Sequence, residues 1–78
     1  MQINRNNEPQ GCTFTLLSGQ GVLVASCQVI GQTTIYFDGM RMHPERTHAD
    51  PRTAVRVAGL ALVDRACREI ARNWRAAA

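Results

Sequence analysis

Four arginines, Arg65, Arg68, Arg72 and Arg75, recur at helical spacing around the single tryptophan, Trp74, in a chain of 78 residues that has no lysine. A guanidinium is planar, always charged and never gives up its proton, so it grips carboxylates and phosphates but does no acid-base work. The stripe therefore points to a partner- or nucleic-acid-binding surface. Part of it is self-neutralised, because Asp64 precedes Arg68 by four residues and Glu69 lies within one turn of Arg65 and Arg72. Arg72 and Arg75 also stand where cations favour the C-terminal end of a helix dipole.

The remaining reactive side chains are sparse. His43, Glu45, His48 and Asp50 form the densest acid-base cluster. No nucleophile with an orienting partner and no glycine-rich phosphate loop accompanies them, so no catalytic residue and no cofactor is assigned and the chain is read as a non-enzyme. Cys12, Cys27 and Cys67 lack the close pairing of a zinc site and are read as small apolar residues, with no metal assigned. An odd cysteine count without an export-type N-terminus fits reduced thiols in a cytoplasmic protein.

These residues need elements to position them. Met1 to Gln10 is polar and reads as a flexible lead-in, ahead of a single domain over 11–78. From Cys12 the text turns β-rich: Cys12–Leu17, a Ser18-Gly19-Gln20-Gly21 loop, Val22–Ile30, a Gly31-Gln32 turn, then Thr33–Phe37. This is an antiparallel meander of three strands. A turn at Asp38-Gly39 would return Met40–Met42 as a fourth. If Leu17 faces Val22 and Ile30 faces Thr33, then Cys12 faces Cys27, which in turn faces Tyr36. Cys12, Phe14, Leu16, Leu23, Ala25, Cys27, Val29 and Tyr36 then form the core side. The other side is half apolar, with Leu17, Val22, Val24, Ile30, Ile35 and Phe37.

Asp50-Pro51 is a helix start, a capping carboxylate followed by proline at the first helical position. The helix then runs to about Arg75, with Val55, Gly59, Leu60, Val63, Ala66, Cys67, Ile70 and Trp74 on its inner face. The expected fold is α+β, a meander followed by one long C-terminal amphipathic helix packed on one sheet face. Such a helix outreaches its strands. Its far end and the second sheet face are left uncovered, which predicts a homodimer or partner interface at Val22, Val24, Ile35, Phe37, Ile70 and Trp74.

Charge adds a direction. From Pro51 onward six arginines oppose Asp64 and Glu69, a net of +4, leaving −1 for the first fifty residues. No stretch is long and apolar enough for a membrane anchor. The expected function is that of a small binding protein that inhibits or regulates a larger protein or nucleoprotein partner. Small sheet-plus-helix chains are a common format among accessory proteins of phages and mobile elements, including anti-CRISPR inhibitors, and this layout is analogous to theirs. The alternative is a basic nucleic-acid-binding regulator that uses the C-terminal arginines.

Overall fold

The computed structural model describes residues 1–77 and shows the α+β architecture, one antiparallel sheet followed by one long helix. The strands are β1 (Gln2–Glu8), β2 (Gly11–Leu17), β3 (Leu23–Ile30), β4 (Thr33–Asp38), β5 (Arg41–Met42) and β6 (Arg46–Thr47). Neighbours run β1-β2-β3-β4-β5, with β6 pairing the first half of β4. The helix α1 (Pro51–Ala77) lies across β2, β3 and β4 and leaves β1 largely uncovered.

The first ten residues are not a flexible lead-in. Gln2–Glu8 pairs along its whole length with β2, from Gln2 opposite Leu17 to Glu8 opposite Gly11. Its text has no apolar alternation because, as an edge strand, it buries little. What holds it is backbone pairing, supplemented by Thr13 donating to Glu8 at 2.6 Å and by the Arg5 guanidinium 5.6 Å from the centre of the Phe14 ring. Polar side chains on such an edge also discourage unwanted strand addition.

The β2–β3 register differs from expectation by two residues. Cys12 stands opposite Val29 and Phe14 opposite Cys27. One residue of shift comes from the loop: Ser18 and Val22 close it through a 2.8 Å backbone bond, and the Ser18 hydroxyl accepts from the Val22 amide, so Leu17 meets Leu23. The second comes from a bulge that places two β3 residues, Leu23 and Val24, across from Leu17. Two shifts of one restore parity beyond the bulge, so the expected core side survives although the pairs do not. At the bulge the sides exchange. Leu23 turns outward, and Val24 packs against the core.

The other turns follow the text. Gly31 takes φ +59° and Ile30 meets Thr33, so the β3–β4 register is as expected, Cys27 opposite Tyr36 included. Gly39, at φ +62°, starts the turn that returns Arg41 and Met42 beside Asp38 and Phe37. The polar segment after it contributes β6, tied down by the buried Thr34 hydroxyl, which shares a 2.8 Å hydrogen bond with His48 Nε2.

The helix begins as the sequence indicates, with Asp50 Oδ1 accepting the Thr53 amide at 2.7 Å. Its buried row is a different one from that expected: Ala54, Ala58, Leu62 and Ala66 face the sheet, with Val55 and Gly59 at its margin. They complete a core with Cys12, Leu16, Ala25, Cys27 and Val29. Three of the four residues in this four-residue-spaced row are alanines, which lets the helix backbone settle close to the sheet, where larger side chains would hold it off. The bulkier Leu60, Val63, Cys67, Ile70 and Trp74 are exposed. Ala66 is the last buried helix residue, and the turns beyond it give the molecule its 43 Å length against 20 Å in the other directions.

Candidate interaction surfaces

The arginine stripe does not form one surface. Arg65 lies against the sheet flank, donating through Nη1 to Glu69 at 2.8 Å and standing 3.5 Å from the Asp38 carboxylate. Its side chain is 14% exposed. The hydrogen bond to Glu69, reinforced by the charges of Asp38 and Glu69, raises its pKa further against the opposing effect of burial. It fastens the helix to β4. Arg68 is exposed and paired with Asp64 at 3.1 Å, an i,i+4 contact of small energetic weight. Arg72 and Arg75 are exposed on the overhanging end, without an ion-pair partner among the described residues.

The six apolar residues expected on the second sheet face and the helix end fall into three places. Ile35 and Phe37 lie on the outer face of the sheet, with Val22 on the loop at its end. Ile70 and Trp74 belong to the helix overhang, 55% and 78% exposed. Val24 belongs to neither, because the bulge turns it toward the core. In register on the outer face, Phe37 stands between Ser26 and Met42, and Ile35 stands beside Gln28. Exposed Leu23, Ile30 and Met42 add to the apolar surface on that side, and the helix packs on the opposite face of the sheet.

A cleft of about 240 Å³ opens between α1 and the β5–β6 segment, lined by Tyr36, His43, Arg46, Val57, Asp64 and Arg68 among others. The Tyr36 hydroxyl is buried there without a hydrogen-bond partner, and His43 meets its ring edge-on at 5.1 Å. Burial, and secondarily Asp38, push the phenol pKa upward. Cys27, which also lines the cleft, is pushed up to about 11 by burial and by Cys12, which disfavours its thiolate. His48 is engaged by Thr34 and Asp50 by the helix cap, which scatters the expected acid-base cluster. Among the described residues no three His, Cys, Asp or Glu side chains converge, and all three cysteines are free.

The residues that sequence reasoning misplaced are Leu60, Val63 and Cys67, which continue the exposed line of Ile70 and Trp74 along the helix. The line's alternating three- and four-residue spacing is visible in the text, but the largest apolar residues were assigned to the sheet contact. The alanine row at strict four-residue spacing is the signal that would have corrected it. No protein-family model, no curated protein and no solved structure matches the chain. No helix is long and apolar enough to cross a membrane.

Proposed function

We propose that this chain is a non-enzymatic binding protein of the cytoplasm, homodimeric, that inhibits or regulates a larger protein or nucleoprotein partner. The reading is supported above all by the outer side of the sheet, where exposed Met42 pairs with Phe37, exposed Ile30 lies at the Thr33 end of the strand that carries Ile35, and exposed Leu23 pairs with Leu17 at the bulge. A sheet normally buries both apolar faces, and a contiguous exposed apolar area on a small domain marks an interaction site. A phage or mobile-element inhibitor of host defence is the setting in which such a chain would act.

The test replaces Leu23 and Met42, both exposed, with glutamate. A stoichiometric partner captured by the unaltered protein and reconstituted from purified components should bind the double variant at least tenfold more weakly, while circular dichroism stays the same. Equal binding by both proteins refutes the assignment of this face. Restored plaque formation on a host with active CRISPR interference tests the anti-defence setting. The second reading, a nucleic-acid-binding regulator, is favoured by exposed Arg72 and Arg75, which have no ion-pair partner among the described residues. It predicts a salt-sensitive gel shift that Arg72→Glu with Arg75→Glu abolishes, each phosphate contact contributing roughly 0.9 to the logarithmic salt slope. The absence of any shift at low salt ends it.

A further inference from the structure

The helix carries a second interaction surface, separate from the open sheet. Leu60, Val63, Cys67, Ile70 and Trp74 follow one another at intervals of three, four, three and four residues. That is the spacing of alternating core positions in a coiled coil. At about 100° per residue the stripe lies roughly 140° around the helix from the buried row of Ala54, Ala58, Leu62 and Ala66. It is thus a second seam, unused by the chain's own core. Leu60, Val63, Ile70 and Trp74 are 61%, 48%, 55% and 78% exposed.

We propose that this seam is the homodimer interface, with the helices of two copies packed antiparallel so that Leu60 meets Ile70, Val63 meets Cys67 and Arg56 meets Trp74 of the second copy. The proposal takes the homodimer of the preceding reading and gives it a surface. Partner capture by the sheet does not depend on it.

A second copy is favoured as the occupant by the way the seam complements its own reverse. Arg56 continues the spacing one step before Leu60, so the seam has a cation at one end and an indole at the other. Reversed against itself it matches aliphatic with aliphatic, and both ends become arginine-on-tryptophan contacts of the favourable cation–π kind. A parallel pair would instead oppose Arg56 to Arg56 and set the two arginine-rich C-terminal ends, with their aligned dipoles, side by side. Of the positions flanking the seam Gly59 and Ala71 are small, Ala66 is buried against the sheet, and Asp64 and Asn73 are polar. The exposed side chains amount to roughly 450 Å² of apolar surface per copy by the areas such residues present. This is a little over half of the ~800 Å² per partner of a standard interface and implies a weak, reversible, concentration-dependent dimer.

Sedimentation equilibrium from micromolar to millimolar concentration reads the assembly. The mass should rise from the 8.6 kDa of one chain toward twice that value. Leu60→Glu and Ile70→Glu, both at exposed positions, should hold it at one chain with an unchanged helical signal. Orientation is read by oxidation in a glutathione buffer. In the proposed register Cys67 of the two copies is offset by about 6 Å along the axis, which with the lateral separation exceeds the reach of a disulfide. Val63→Cys places a thiol level with Cys67 of the second copy and should give a covalent dimer, whereas the unaltered chain should give little. A single-chain mass at every concentration overturns the proposal, and does so without touching the sheet reading if the partner is still captured. Efficient cross-linking through Cys67 alone overturns the antiparallel register. Loss of partner capture by Leu60→Glu in a chain that is always monomeric assigns the seam to that partner and equally overturns the dimer.

Discussion

Leu60 and Leu62 differ by two positions and occupy opposite environments, and replacing each with alanine measures the rotation of the helix directly. Leu62 is fully buried among Leu16, Ala25, Cys27 and the helix alanines, whereas Leu60 is 61% exposed. Truncating a buried leucine removes its transfer free energy and leaves a cavity, together about 2–5 kcal/mol. The neighbours here are held by strand pairing on one side and by the alanine row on the other, so collapse is restricted and a value of about 3 kcal/mol is expected. For a domain of this size each kcal/mol lowers the melting temperature by roughly 4–8 °C, so Leu62→Ala should melt about 12–24 °C lower. Leu60→Ala should stay within about 0.5 kcal/mol of the unaltered protein at low micromolar concentration, as surface substitutions do.

Urea unfolding followed by far-ultraviolet circular dichroism is the appropriate assay, because Trp74 sits on the exposed overhang and reports poorly on the core. Protein concentration must be low, since at high concentration Leu60→Ala also weakens any seam contact. Comparable losses at both positions in dilute solution would refute the packing described, and a larger loss at Leu60 would restore the face expected from the largest residues.

Three further outcomes follow from local geometry. Gly11→Ala should destabilise strongly or prevent folding, because a Cβ there overlaps the Val29 carbonyl, while Gly59→Ala should stabilise by about 0.5–1 kcal/mol, since its Cβ meets only the Phe14 ring at 3.8 Å and a helix gains from losing glycine; thermal melts of the two variants would show it. Backbone hydrogen bonding to Thr53 holds the Asp50 carboxyl below its ordinary pKa, so its contribution is fully present above the ordinary aspartate range and is lost as pH falls through the lowered value. Acid titrations of stability should therefore show a component that Asp50→Asn removes, and identical profiles would refute it. Of the three thiols, only exposed Cys67 should react promptly with a disulfide reagent at pH 8 in the native state; Cys12 and Cys27, the latter with its pKa near 11, should react only on unfolding, and three fast thiols would contradict the buried core.

The sheet was legible where turns or capping residues fix geometry locally. Gly31-Gln32 set the β3–β4 register and Asp50-Pro51 set the helix start, because each depends on two or three adjacent residues. The β2–β3 register was not legible to the residue, since a five-residue loop and a bulge both leave the alternation of distant residues intact and alter only the pairing. β1 was missed for a different reason. An edge strand satisfied by backbone bonds needs no apolar code, and Gln, Asn and Arg fill its exposed positions without marking it as a strand.

The helix shows why reading a site from the same pattern is harder than reading a fold. Hydrophobic bulk on a wheel locates surfaces that must be covered, but it does not say what covers them. Two candidates competed for the sheet, a row of alanines with one leucine and a row of larger residues, and close approach to a pleated surface favoured the smaller row. The larger row was then left facing outward with the three-four spacing that suits another helix and not a sheet. The arginines changed meaning with that rotation. Arg65 became an intramolecular fastening to Asp38 and Glu69, Arg68 a surface pair with Asp64, and only Arg72 and Arg75 stayed free for a partner. A stripe that reads as one cationic surface at 3.6-residue periodicity is divided by where the helix touches the sheet, and that contact is set by the smallest residues in the segment.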